Sequence, residues 1–130
     1  MSNNYLTMSN TVPNPDLDLS FLYEIADGSD EFIVESIDMF LQQTPQLLAE
    51  IGQGIASQNW NVTGAAAHKL KPNLGFFGMH LLQGMMQEIE VMAKGGIPDS
   101  AAIAQKYDTA KVMIDENLEK LEKLKIEKQG

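Results

Sequence analysis

The residues of this chain that are best placed to do chemistry lie between Asn61 and Gly78, where His68 is the central residue of the segment AAAHKLKPNLGFFG. On a helix, with about 100° between successive residues, the positions around His68 hold small or polar side chains and one proline. These positions are Asn61, Gly64, Ala65, Lys71, Pro72 and Gly75. The opposite side carries Val62, Ala66, Leu70, Leu74 and Phe77. We therefore predict that His68 points to solvent from a face that another protein could approach.

An exposed imidazole that is neutral at cellular pH is a competent nucleophile. A phosphoryl group on its nitrogen would bring about two negative charges, which a nearby cation could partly neutralise. Lys71 lies one helical turn after His68 and could supply that cation. His80 has no lysine three residues after it, so we expect it to be an ordinary surface or capping residue.

Pro72 is an unusual residue for the interior of this helix. It removes the N–H that would bond the His68 carbonyl, at a cost of about 3 kcal/mol in an ordinary helix. It also biases Lys71, the residue before it, away from helical geometry. We expect a kink, with the helix resuming to about Phe76; the alternative is that the helix ends at Lys71.

The His68 segment resembles the histidine-containing phosphotransfer (HPt) domain of bacterial and plant phosphorelays. The signature of that family is a helix with a histidine, a lysine three residues on, and then glycine or another small residue. The matching residues here are His68, Lys71, Leu74, Gly75 and Gly78, and upstream Gly28, Phe32, Phe40 and Pro45. The likeness covers roughly residues 16–92, and a helical tail beyond it is typical. Pro72 is a departure, because the family more often has glycine there.

The resemblance implies that His68 accepts a phosphoryl group from a receiver-domain aspartate, through the ring nitrogen farther from the backbone, and passes it to another receiver. Lys71 would stabilise the phosphoryl charge. The residues implied in partner docking are Asn61, Gly64, Ala65, Pro72 and Gly75. The expected partners are response-regulator receiver domains and a hybrid sensor histidine kinase. No cofactor of its own is expected, since the partner receiver would supply Mg²⁺. The alternative is a non-transferring helical adaptor that binds receiver domains. In that case Pro72 would indicate a site that has diverged from the family and no longer transfers a phosphoryl group.

Motifs for other chemistry are missing from the sequence. It contains no phosphate-cradling glycine loop with a lysine, and no Glu-x-x-His pair for a metal-carboxylate bundle, since Ala65 and Phe77 stand three residues before the histidines. We therefore expect no nucleotide site and no catalysis by the chain alone. A metal-storage bundle is a third alternative.

Composition narrows the possible partners and location. The net charge of −9 argues against binding to nucleic acid or to an anionic membrane surface. The chain has no cysteine, no apolar run of about 20 residues and no basic-then-apolar leader pattern, so we expect a cytoplasmic protein. We also expect a monomer, and the Met1 start with a charged end suggests a complete small protein.

Helical periodicity extends through the chain, and no segment alternates as a strand would. We predict an all-α fold: an up-down antiparallel four-helix bundle with a short additional N-terminal helix. Residues 1–15 are expected to be a flexible arm and residues 16–128 the HPt-like domain. The predicted caps are Asp16 or Asp18 for the short helix, Ser29 for the second, Asn59 or Asn61 for the His68 helix, and Asp99 or Ser100 for the last.

Overall fold

A computed structural model describes residues 16–130, and within that range the chain forms five α-helices and no strand. They are α1 (Ser20–Ala26), α2 (Asp30–Ala56), α3 (Trp60–Phe76), α4 (His80–Ala93) and α5 (Ser100–Gln129). The predicted all-α class is confirmed. The expected arm at residues 1–15 lies outside the described residues.

The four long helices form a bundle in which each packs against two others. Helix α3 lies between α2 and α4, and α5 closes the bundle against α2 and α4, while α1 packs on α2. The connections between the long helices are short, which fits the predicted up-down order. The stripes predicted from periodicity meet in one core, whose fully buried large side chains include Ile33, Ile37, Ile51, Leu70, Leu74, Leu82, Met86, Ile89, Ile103 and Ile114.

Three of the long helices begin at a side-chain cap that the sequence predicts. Ser29 Oγ accepts the Phe32 N–H at 3.1 Å and so begins α2. Asn59 Oδ1 accepts from the amide of Val62 at the start of α3. Asp99 Oδ1 accepts from the amide of Ala102 at the start of α5. Each cap satisfies an amide that has no partner within its helix, so local sequence sets these starting points.

Of the two residues predicted to cap α1, Asp16 makes its contacts elsewhere. Asp16 does not cap α1, because its carboxylate accepts the N–H groups of Leu81 at 2.9 Å and Leu82 at 2.8 Å in the first turn of α4. The buried Asn117 of α5 donates a hydrogen bond to the Asp16 carbonyl at 3.0 Å. Asp18 accepts from the amide of Ser20 at the start of α1. Asp16 therefore links the two helices: its carboxylate binds α4 and its carbonyl binds α5.

Helix α3 passes through Pro72 and continues to Phe76, so the alternative that it ends at Lys71 is wrong. Pro72 itself is exposed, whereas Leu70 and Leu74 on either side of it are fully buried. Burial of a leucine side chain contributes about 1.5–3 kcal/mol, and two such residues offset the penalty of one interior proline.

Candidate functional site

His68 lies near the middle of α3 with its side chain 66% exposed. Its neighbours along the helix, Ala67 and Leu70, are fully buried. The helix is therefore fixed by the core on one side and presents the imidazole on the other, as the periodicity predicts. This geometry confirms the exposure of His68, while its chemical role remains a prediction.

A buried carboxylate lies beside the ring. Glu90 of α4 has a side chain only 8% exposed, and its Oε2 lies 3.0 Å from His68 Nδ1. Lys94 Nζ lies 2.7 Å from the same oxygen, and Lys71 Nζ lies 2.7 Å from Oε1. Lys71 also donates a hydrogen bond to Gln87. His68, Lys71, Glu90 and Lys94 form one cluster, called here the His68–Glu90 cluster.

The lysines keep Glu90 ionised. Hydrogen bonds from Lys71 and then Lys94 lower the pKa of Glu90 from 4.5 to about 2, against the opposing effect of burial, and the contact with His68 adds to the lowering. An ionised carboxylate can only accept hydrogen bonds. A neutral His68 therefore carries its proton on Nδ1, facing Glu90, and keeps the lone pair on Nε2.

The pKa of Glu90 predicts how the cluster responds to acid. The folded-state pKa lies below the unfolded-state value, so the carboxylate stabilises the fold fully above about pH 4.5 and loses that effect as pH falls toward 2. We expect Glu90→Gln to lower the free energy of unfolding at pH 7 and to have a smaller effect at about pH 3.

Urea unfolding at both pH values measures this difference. Glu88→Gln is the matched control, because Glu88 lies on the same helix and pairs with Lys106 through an exposed carboxylate. An effect of Glu90→Gln that is equal at the two pH values would contradict the assigned charge state.

The predicted docking residues divide into two groups. Asn61, Ala65 and Pro72 are exposed on the His68 side of α3. Gly64 is buried: a Cβ there would lie 3.6 Å from Lys94 Cε and 3.7 Å from Ala93 Cβ. Gly64 thus packs against α4 at ordinary van der Waals distances, and its part in partner docking stays a prediction.

Gly75 lies under the side chain of Gln83, and a Cβ at this glycine would lie 2.6 Å from Gln83 Nε2. It also borders a shallow depression with Phe21, Pro72 and Phe76. The rings of Phe21 and Phe76 meet edge to face at 5.4 Å, and Phe21 is half exposed. An apolar surface thus lies one turn beyond Pro72.

His80 is exposed at the start of α4 and lines the same depression. It is not part of the His68–Glu90 cluster, so the two histidines of the chain lie in different surroundings.

Glu90 and Lys94 were not identified as site residues from the sequence. A signal was present, because Glu90 falls on the buried stripe of α4 together with Leu82, Met86, Ile89 and Ala93. Glutamate is almost never fully buried unless it is paired. A buried acid on that stripe therefore indicates a cationic partner on a neighbouring helix.

The described residues contain no group of three or more His, Asp or Glu side chains that could hold a metal ion. Within residues 16–130, none of the helices combines the length and the apolar character needed to cross a membrane.

A family model described as "Hpt domain" matches residues 35–124. The matched range holds all of α3 and α4 and most of α2 and α5. It begins after Gly28 and Phe32 and extends well beyond Met92, so it is shifted toward the C-terminus from the likeness seen in the sequence. No curated protein and no solved structure matches the chain.

Proposed function

Since this chain belongs to the Hpt domain family, we propose that it carries a phosphoryl group on His68 between two receiver domains. Family membership gives the chain a phosphotransfer role in two-component relays. The proposal adds the acceptor residue and the direction of flow, from the aspartate of one receiver to that of another. The observation that carries it is the exposed imidazole of His68, held through Nδ1 by the carboxylate of Glu90 at 3.0 Å.

The transfer step follows from this geometry. The Nε2 lone pair of His68 attacks the phosphorus of the aspartyl phosphate, and the N–P bond forms as the P–O bond breaks. The electron pair of the broken bond stays on the aspartate carboxylate. The receiver would supply Mg²⁺, which neutralises phosphoryl charge during an in-line displacement.

Lys71 is suited to hold the transferred group. The phosphoryl group brings about two negative charges close to the ring. Lys71 Nζ already lies 2.7 Å from Glu90 Oε1 in the same cluster, and its side chain is 19% exposed. A partly buried ammonium group is less screened by solvent than one at the open surface.

The receiver would dock on the His68 side of α3. Asn61 and Ala65 precede the histidine on that face and Pro72 follows it, and none has a bulky apolar side chain. The half-exposed Phe21 beside Phe76 offers apolar surface at the edge of this face. The initial phosphoryl donor would be a hybrid sensor histidine kinase, acting through its receiver domain.

The direct test is transfer of radiolabel from phosphorylated receiver domains of the source organism to the purified protein. We expect at least one receiver to label it, with a bond that is labile in acid and stable in base, as expected for phosphohistidine. Receivers that bind the protein but never transfer label would favour the non-transferring adaptor instead.

Lys71→Ala is expected to slow phosphoryl acceptance about tenfold, because it removes a cation worth about 1.4 kcal/mol to the charged transition state. Single-turnover transfer from a phosphorylated receiver measures the rate. Lys69→Ala is the matched control, since Lys69 is exposed on α3 and makes no ion pair with Glu90. Equal rates for the two variants would show that Lys71 does not contribute to phosphoryl acceptance.

A further inference from the structure

Glu90 is more deeply buried than an ion pair at the surface requires, and one of its oxygens lies against the ring of His68. Its side chain is 8% exposed, against 63% for Lys94, which pairs with the same oxygen. Histidines that act as nucleophiles or bases are commonly held by a carboxylate on the opposite ring nitrogen, which sets the tautomer and stabilises the imidazolium. Glu90 stands in that relation to His68.

We infer that Glu90 is a positioning residue for phosphotransfer: its carboxylate holds the proton on Nδ1 of His68 before and after transfer, which directs the phosphoryl group to Nε2 and keeps the phosphorylated ring protonated. The inference rests on the proposed function of His68 as the phosphoryl acceptor. It assigns a role to a residue that does not touch the phosphoryl group.

The charge balance of the transfer explains why a carboxylate is needed. The neutral ring enters with its proton on Nδ1, so no proton moves when Nε2 forms the N–P bond. The ring therefore gains one positive charge while the donor aspartate recovers its electron pair. Glu90 Oε2, 3.0 Å from Nδ1, is the anion placed to stabilise that charge.

Onward transfer depends on the same proton. If Nδ1 is protonated, cleavage of the N–P bond releases a neutral imidazole. If it is not, cleavage must release an imidazolate anion, a much poorer leaving group. By holding the proton, Glu90 keeps the phosphoryl group transferable at pH values where the phosphorylated ring would otherwise become neutral at Nδ1.

The surrounding charges are compatible with this role. From α3, the groups that face Glu90 are His68 and Lys71, and from α4 itself the group is Lys94. In the described part of the chain, α1, α2 and α5 contribute no ion pair to Glu90. Lys71 pairs with Oε1, while Lys94 and the ring of His68 share Oε2. A carboxylate oxygen has two acceptor sites, so Oε2 can accept from both at once.

Glu90→Gln tests the inference because it keeps the shape of the side chain and removes its charge. An amide presents one acceptor and one donor. If its carbonyl stays with Lys71, its NH₂ group faces Nδ1. This favours the tautomer with the proton on Nε2, and Nε2 then has no lone pair for attack on phosphorus. Glu88→Gln is the control, since it removes the same charge from the same helix away from His68.

The first measurement is ¹⁵N NMR of the imidazole nitrogens, before and after chemical phosphorylation with phosphoramidate. In the wild type we expect the neutral ring to carry its proton on Nδ1, and the phosphoryl group to appear on Nε2. In Glu90→Gln we expect the Nδ1 proton of the phosphorylated ring to be lost at a pH about one unit lower, the size of effect that one adjacent opposite charge produces.

The second measurement is the pH profile of onward transfer to a receiver. The alkaline decline should move to lower pH by the same amount in Glu90→Gln, with transfer at about pH 8.5 slowed about tenfold for a one-unit shift. Glu88→Gln should retain the wild-type profile. A purely structural role for Glu90 would lower the rate at every pH without moving the profile, which would overturn the inference.

The NMR result separates this inference from the proposed function. If the wild-type ring carries its proton on Nε2, the inference fails even if receivers transfer label to His68. If Nδ1 holds its proton in a Glu90-dependent way while no receiver transfers label, the proposed function fails and the positioning of the ring stands. The spectrum of the wild type alone shows which nitrogen carries the proton. The inference can therefore be refuted even if the variant folds poorly.

Discussion

Replacing His68 with glutamine is expected to reduce labelling by every receiver to background. The glutamine amide nitrogen has no lone pair available for attack on phosphorus, so no covalent intermediate can form. The side chain at this position is 66% exposed, and the buried Glu90 keeps Lys71 and Lys94 as partners when the ring is replaced. The variant should therefore fold and still bind the receiver.

His80→Gln is the matched control for this experiment. His80 is also an exposed helical histidine, but it lies at the start of α4 and outside the His68–Glu90 cluster. The His80→Gln protein should accept label at the wild-type rate. The wild type and His68→Gln should bind the receiver equally by calorimetry. Label that persists on His68→Gln and disappears from His80→Gln would show that His80, and not His68, is the acceptor.

Gly78→Ala is expected to destabilise the fold by about 3 kcal/mol or more. Gly78 has φ +70° in the turn between α3 and α4, a conformation that costs an L-residue about 1–2 kcal/mol. A Cβ at this position would also overlap the Asp18 carbonyl oxygen and lie 2.7 Å from the Asp18 carbonyl carbon. The backbone cannot give way easily, because the Asp18 N–H is bonded to the Phe77 carbonyl at 3.3 Å.

Gly84→Ala provides the contrast. Gly84 lies within α4, and a Cβ there would meet nothing within 4 Å. Alanine is the better helix former by about 1 kcal/mol, so this variant should be as stable as the wild type or more so. Urea unfolding of both variants measures the difference. If Gly78→Ala were as stable as Gly84→Ala, the close approach of the Asp18 segment to this turn would be refuted.

The turn at Gly78 also matters for the site. It sets where α4 begins relative to α3, and Asp16 holds the first turn of α4 through the amides of Leu81 and Leu82. The position of Glu90 beside His68 depends on that placement. A Gly78→Ala protein that still folds should therefore also transfer phosphoryl groups more slowly than the wild type.

Much of the fold follows from short-range information in the sequence. Ser29, Asn59 and Asp99 cap their helices within three residues, and helical spacing places His68 opposite the buried Leu70 and Leu74. These features depend on interactions inside one helix, so the sequence is sufficient to predict them. The family predicted from the His68 motif is likewise confirmed by the match over residues 35–124.

Other features needed long-range contacts. The sequence left open whether α3 ends before Pro72, because a local penalty had to be weighed against burial that only the bundle provides. Asp16 was one of two predicted caps for α1 but binds amides of α4, since its nearest amides along the chain are not its nearest amides in space. Gly64 was predicted to lie open to a partner, whereas it is buried against Ala93 and Lys94 of α4.

By itself, then, the sequence determined the helices, the exposed position of His68 and the lysine one turn after it. Only the tertiary structure decided what the imidazole contacts. Helical periodicity fixes which residues share a face of one helix, but not the rotation and offset of α4 against α3. Those two quantities bring the buried Glu90 within 3.0 Å of Nδ1 and join Lys71 and Lys94 around one carboxylate.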